Sequence, residues 1–334
     1  MGSNWIDDCY VTGMRKMTSI AIVSAIAVSV AYGVLGGGAL RPTRDALAQT
    51  PDKTEVNQRC AVRLSIAFLG ESPEAALIQS PNPQSFVDLM MANPKFIDRF
   101  SRFANAEMNG GPGQTAAEDV TYYTSKYILE NGRAWKDLFV GPFKFTAGAG
   151  GVPIISIDPQ GLGYFRSDAW LKRYAGNEEA GIKIVSAFRI LNNTTGLDLQ
   201  AVTNASNVDV SATGRAKEGC KNCHYENWYA LDQVAKVLTL RKGQAEEMTF
   251  VPNTAGPQQL LGKTIANDKE LVEALVDSES FRFNACRSAF KFLYGRPENK
   301  CESDLFDQCM KAFTARGTIQ TALSTIAKDG SYCQ

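Results

Sequence analysis

Residues 220–224 read Cys-Lys-Asn-Cys-His, and this C-x-x-C-H run constrains the chain more than any other feature. Two thiols three positions apart can each add across one vinyl group of the same porphyrin. The next residue then offers an imidazole nitrogen to the iron from one face. His224 is the one histidine among 334 residues. A fold that uses the run must present Cys220, Cys223 and His224 together, where loop turns into helix, around a single covalent haem c.

The lone histidine also closes off other chemistry. Bis-histidine ligation within one chain is impossible. With His224 on iron, neither a Ser-His-Asp triad nor a His-rich zinc site can form. The sixth position is left to a methionine, lysine, tyrosine, asparagine, an amine, water or nothing. Met248 lies in a loop after the run that is able to fold over the distal face. A His/Met pair raises the reduction potential and suits electron transfer; an ordinary packing methionine reads the same way in sequence. Tyr225, Trp228 and Tyr229 follow the run, either packing a haem edge or forming the buried stripe of the next helix. Arg215 and Lys217, just upstream, could pair with a propionate or stand solvated. Without haem, the two cysteines would make a thioredoxin-like redox pair, which needs a βαβ context that the surrounding pattern does not offer.

The N-terminus supports the same chemistry. Arg15 and Lys16 precede an uncharged stretch from Met17 to Leu40, and Ala46-Leu47-Ala48 supplies an A-x-A cleavage pattern. Residues 1–48 therefore read as a secretory signal; an uncleaved membrane anchor is the rival, since the stretch is long enough to span a bilayer. Haem c is attached outside the cytoplasm, where disulfides also persist. The expected location is periplasmic or otherwise extracytoplasmic. Of eight cysteines, Cys9 falls in the signal and two would carry haem, leaving Cys60, Cys286, Cys301, Cys309 and Cys333. Five is odd, so the expectation is at most two disulfides, with one thiol free or paired to another chain. The crowding of cysteines near the C-terminus predicts a staple there, its connectivity open.

With 35 basic and 35 acidic side chains and no basic run, the composition argues against nucleic acid as a partner. The length suits one large or two small domains. Hydrophobic spacing makes the class mainly α. A helical N-terminal module is predicted over 49–140, with an aromatic stripe at Phe96, Phe100 and Phe103. Ser72-Pro73, Asn82-Pro83 and Asn93-Pro94 mark helix starts there. Residues 141–214 read as an irregular and helical connection. Its stretch 141–165 is Gly/Pro-rich with room for one short strand, and 192–214 reads as a polar loop. The C-terminal region, 215–334, reads as helical, haem-bearing and Cys-rich, with a loop at 248–262 and a capping box at Asn267-Asp268-Lys269-Glu270. Asn193-Thr194-Thr195 matches a glycosylation acceptor by letter only.

The block Gly219 to His224, followed by Phe283-Asn284-Ala285-Cys286-Arg287, Phe290 and Tyr294-Gly295-Arg296-Pro297, resembles secreted planctomycete-type and myxobacterial cytochrome-like proteins. Leu69-Gly70-Glu71-Ser72-Pro73, Asn93-Pro94-Lys95-Phe96 and Gly132 to Phe139 are similar to the helical module that accompanies them. The resemblance implies haem at Cys220, Cys223 and His224 in a mostly helical exported protein, and it implies no substrate. This chain departs from it after the run, where Tyr225-Glu226-Asn227-Trp228 replaces an Asp-Pro-x-Gly turn. The functional expectation is an exported monohaem cytochrome that carries electrons, with a redox partner protein and possible membrane association through the N-terminal segment. The alternatives are a haem enzyme or gas sensor with an open sixth site, and a structural protein in which haem ties the fold together.

Overall fold

A computed structural model describes residues 52–109, 119–174, 184–199, 212–215, 217, 231–242, 249–251 and 255–334. The chain begins with α1 (Lys53–Leu69), α2 (Ala75–Ile78), a 3-10 turn at Pro83–Phe86, α3 (Val87–Met91), α4 (Pro94–Asn109), α5 (Val120–Glu130) and α6 (Asp137–Val140). Strands β1 (Phe143–Ala147) and β2 (Pro153–Ile157) follow, then α7 (Asp168–Tyr174), α8 (Ile184–Thr195), α9 (Ala212–Arg215) and α10 (Leu231–Val237). Next come β3 (Leu240–Lys242), β4 (Thr249–Val251), β5 (Gln258–Leu260) and β6 (Lys263–Ile265). The chain closes with α11 (Asp268–Val276), α12 (Glu279–Tyr294), α13 (Ser303–Arg316), α14 (Ile319–Ala327) and a 3-10 turn at Gly330–Cys333. The class is mainly α, as the hydrophobic spacing requires. No helix among the described residues is long and apolar enough to cross a membrane. The expected signal, residues 1–48, lies outside the described residues.

Caps fix several helix ends. Asn267, Ser278 and Thr318 each accept a backbone N–H through the side chain, at the starts of α11, α12 and α14. Gly295 and Gly317 adopt the left-handed conformation that ends α12 and α13. Pro83 and Pro94 open their turns as predicted, but Ser72-Pro73 does not. There the helix begins at Ala75 with Glu74 as the cap residue.

The core joins the two ends of the chain. The aromatic stripe of α4 buries Phe96 and Phe100 completely, together with Phe68 of α1. Phe292 of α12 inserts among them, with ring centroids 6.4 Å from Phe68, 6.0 Å from Phe96, 5.0 Å from Phe100 and 5.4 Å from Phe103. Edge-on pairs of this kind add about 0.5–1.5 kcal/mol each beyond the area they bury. Residues from Lys53 to Gln334 accordingly group as one compact unit. The module, connection and C-terminal region read from sequence are segments within it.

The segment read as irregular with room for one strand forms a two-stranded antiparallel hairpin, Phe143 opposite Ile157 and Ala147 opposite Pro153. It is held down by close backbone approach. Gly163 has φ +45°, and a Cβ there would stand 2.5 Å from the Leu138 carbonyl oxygen. Only glycine lets Tyr164 N–H reach Leu138 O at 2.9 Å. The loop expected at 248–262 also contains strands. β4 pairs with β3, and β5 pairs with β6 across a two-residue turn at Leu261-Gly262. Both turn residues have positive φ, 54° and 70°. That is the primed hairpin geometry, normally signalled by Asn-Gly. The polar loop expected from Asn192 is likewise shortened, because α8 continues to Thr195.

Two disulfides close the molecule. Cys286–Cys309 clamps α12 to α13 within the predicted C-terminal staple, whereas Cys60–Cys333 ties α1 to the last turn of the chain. Cys301 is disulfide-bonded too, its partner outside the described residues, which corrects the expectation of one unpaired thiol.

The entropy of loop closure ranks the two described bridges. With a sequence separation of 273 residues, Cys60–Cys333 restricts the unfolded chain by about 5–6 kcal/mol. The 23-residue separation of Cys286–Cys309 gives about 3 kcal/mol. Urea unfolding of the C60A/C333A and C286A/C309A variants should show the larger loss for the first pair. At the Leu261 turn, a half-exposed leucine occupies a left-handed position that asparagine tolerates. Leu261→Asn is expected to raise stability by about 1 kcal/mol in the same assay.

Candidate functional site

Cys220, Cys223, His224 and Met248 all lie outside the described residues, as do Tyr225, Trp228 and Tyr229. What can be built from the residues upward is the frame on both sides of the C-x-x-C-H run. Upstream stands the single turn α9, in which Gly214 is buried, and then Lys217, exposed. Downstream the chain becomes helical at Leu231, seven residues after His224. At about 3.3–3.6 Å per residue, the histidine stands within about 25 Å of that helix start.

The helix downstream of the run has a buried apolar stripe among its described residues. Val234, Ala235, Val237 and Leu238 are buried, and Leu231 is half-buried. This apolar side sets α10 against α8, β5 and α11. The helix stops at Val237, and β3 begins at Leu240. β-branched Val237 and Thr239 disfavour another turn, and pairing with β4 uses the next backbone groups. Met248 immediately precedes β4, whose first residue Thr249 pairs with Lys242. It therefore belongs to the connection between two paired strands.

A charged anchor fixes the far end of α10. Thr239 Oγ1 donates to Asp268 Oδ2 at 2.5 Å, and Arg166 donates to the same carboxylate from Nη2 at 2.8 Å and from Nε at 3.3 Å. The Asp268 side chain is nearly buried, and its other oxygen also accepts Lys269 N–H. The sequence marked this region only as a capping box. Asp268 as the hub of three segments carried no separate signal. Beside it opens a cleft of 460 Å³ whose charged lining is Lys144, Asp158, Arg166 and Asp168. Two cations and two anions balance there, and Arg166 is already committed to Asp268, so the cleft favours neither sign of ligand.

A second polar network ties α4 to the chain before α7. Tyr164 donates to Asn109 Oδ1, and Asn109 Nδ2 donates to Asn105 Oδ1 at 2.7 Å. Complete burial pushes the Tyr164 phenol far above the ordinary tyrosine range, so it stays un-ionised. These groups satisfy one another.

Asn193 is different. It sits on α8, 5 % exposed, and neither Nδ2 nor Oδ1 has a hydrogen-bond partner. Its burial within a helix disposes of the glycosylation match at Asn193-Thr194-Thr195. A carboxamide buried without partners costs about 1–3 kcal/mol on mutational scales. It is one of several buried polar groups without a partner among the described residues, with the Ser101 and Ser125 hydroxyls and the Trp170 indole N–H. Nothing in the sequence pattern set this asparagine apart from its polar neighbours Asn192 and Thr194.

Compared with protein-family models, curated proteins and solved structures, the chain matches none.

The anchor at Asp268 has a measurable consequence. Asp268→Ala should cost about 2–3 kcal/mol in urea unfolding, because it strands the Arg166 guanidinium, which is only about a third exposed. Thr239→Val removes one hydrogen bond and should cost about 1 kcal/mol.

Proposed function

We propose that this chain is an exported monohaem c-type cytochrome that passes single electrons to or from a protein partner. The observation that carries the reading is the C-x-x-C-H run at Cys220, Cys223 and His224, holding the chain's one histidine. In this reading Cys220 and Cys223 form the thioethers and His224 is the axial ligand. When bound, the haem supplies a one-electron couple whose potential depends on its axial ligands and on the polarity around it. The chain's own part is to hold and shield that group. α10, locked onto α8 and α11, gives the segment after His224 a fixed end. The described disulfides suit an oxidising compartment, and the signal-like residues 1–48 would deliver the chain there.

Met248 is the proposed sixth ligand. The lone histidine supports a second reading, since no other imidazole can close the distal face. A vacant sixth site would make the protein a haem enzyme or gas sensor. Carbon monoxide separates the two. Rapid binding to the ferrous protein points to an open site, whereas a low-spin spectrum unchanged by the gas points to electron transfer. A chain about three times longer than a minimal haem carrier also has surface to spare for docking a redox partner.

Expression in a host with the c-type maturation system tests the assignment. The purified protein should be coloured, and its haem should stay on the polypeptide through acid-acetone extraction. The C220S/C223S variant should lose that covalent haem. Peptide mapping supplies an independent check, because a sulfur in a disulfide cannot carry a thioether. Only Cys9, Cys220 and Cys223 are left to bond Cys301, so in this reading the matured protein must hold Cys301 free or paired with another chain, and Cys301 joined to Cys220 or Cys223 would sink the proposal.

A further inference from the structure

A pocket of 170 Å³ opens at the end of α1, between that helix, α2 and α3. Its wall is apolar, built from Leu69, Leu77, Phe86 and Met90, and Leu89, 69 % exposed, extends that wall toward solvent. The charged groups in the lining are Glu71 and Glu74, and no cation lines it among the described residues. Lys95 Nζ holds Glu71 Oε2 at 2.5 Å from outside the pocket. The exposed Glu74 carboxylate makes no hydrogen bond or ion pair with a described residue, and it does not cap α2. We propose that this pocket binds a short alkylammonium group, carried by a free amine or by a lysine side chain.

The path of the chain fixes the site. Gly70 follows α1 with φ +73°, and a Cβ there would stand 2.5 Å from Arg99 Nη1. From that position Arg99 Nη2 donates to Ile66 O at 3.3 Å. The guanidinium thus occupies the carbonyl end of α1, where a cation is favoured. The segment carrying Glu71 and Glu74 therefore leaves from a pinned turn, and α2 begins directly after it at Ala75.

Volume and charge together select the ligand. An apolar cavity of about 150 Å³ holds a benzene-sized molecule, so 170 Å³ takes about five or six carbon atoms. Such a chain gains about fourfold in affinity for each CH₂ it buries. A carboxylate at its free end would face Glu74 as a like charge. An ammonium there meets an acceptor that no described cation has taken, and it brings three donors of its own.

NMR titration of the isotope-labelled, disulfide-intact protein with n-alkylammonium ions is the test, read at the Leu77 and Met90 amides. Affinity should rise about fourfold per added CH₂ and level off at about five or six carbons, where the pocket is full. Pentanoate should bind about tenfold more weakly than pentylammonium. Glu74→Gln should weaken pentylammonium about threefold and leave n-pentanol unchanged. Ala76→Leu, at an exposed helical position in the lining, should fill the pocket and abolish binding of both. If that variant does not fold, Glu74→Gln, a change at an exposed side chain, still decides the matter. Lysine capped as an amide at both ends separates the two sources. Binding as tight as that of butylammonium assigns the site to a lysine side chain, and weaker binding assigns it to a free amine; either keeps the inference. Equal affinity for pentylammonium and pentanoate, or no shift at Leu77 and Met90 with any amine, overturns it. The titration makes no use of haem, so the cytochrome reading and this one fail separately.

Discussion

Phe292 is the side chain on which the described architecture converges. It belongs to α12, yet its ring sits among Phe68, Phe96, Phe100 and Phe103, contributed more than 180 residues earlier in the chain. Contacts of such sequence separation form only after a large loss of chain entropy, so they must be strong to be worth closing. The protein reinforces this junction covalently, since Cys60 on α1 is bonded to Cys333. Beside that bridge, the Arg63 guanidinium lies between the Tyr294 and Tyr332 rings at 4.9 and 4.4 Å. Gln84 donates to Ala327 O and Asp329 O and so seals the last turn. Hydrophobic, cation–π and covalent terms all act on one seam, between the first and last helices.

That seam explains how a long and locally irregular middle can be tolerated. With the ends of the chain fastened together, α8 and α11 pack against α12, which itself belongs to the seam, and α10 packs on α8 and α11. α10 gives the chain a well-packed start at Leu231, seven residues after His224.

Which parts were legible in the sequence follows from which signals are local. The start of α11, written in the Asn267-to-Glu270 capping box, could be read directly because the cap is a property of those residues. The aromatic stripe of α4 was equally plain, since its period is intrinsic to the helix. The hairpins were not. β1–β2 depends on Gly163 fitting against Leu138, a contact across 25 residues. β5–β6 turns on Leu261, where the usual asparagine signal is missing. The pairing of Cys60 with Cys333 was invisible for the same reason, because it reports the docking of the termini and not any spacing between cysteines. In the site, the C-x-x-C-H run is readable since attachment chemistry fixes its spacing. Asn193 and Asp268 are ordinary polar letters until packing buries one without partners and surrounds the other with three.

Two of the buried polar groups also show a division of labour. Asp268 is saturated, accepting from Arg166, Thr239 and a backbone N–H. A carboxylate so fully bound is a structural pin, because any ligand would have to break hydrogen bonds already made in a site of low dielectric. Asn193 is the reverse, buried and yet empty-handed. An orphaned amide of this kind is a local cost that the core carries, as it carries the unpaired hydroxyls of Ser101 and Ser125, and it is offset by the satisfied network of Tyr164, Asn109 and Asn105.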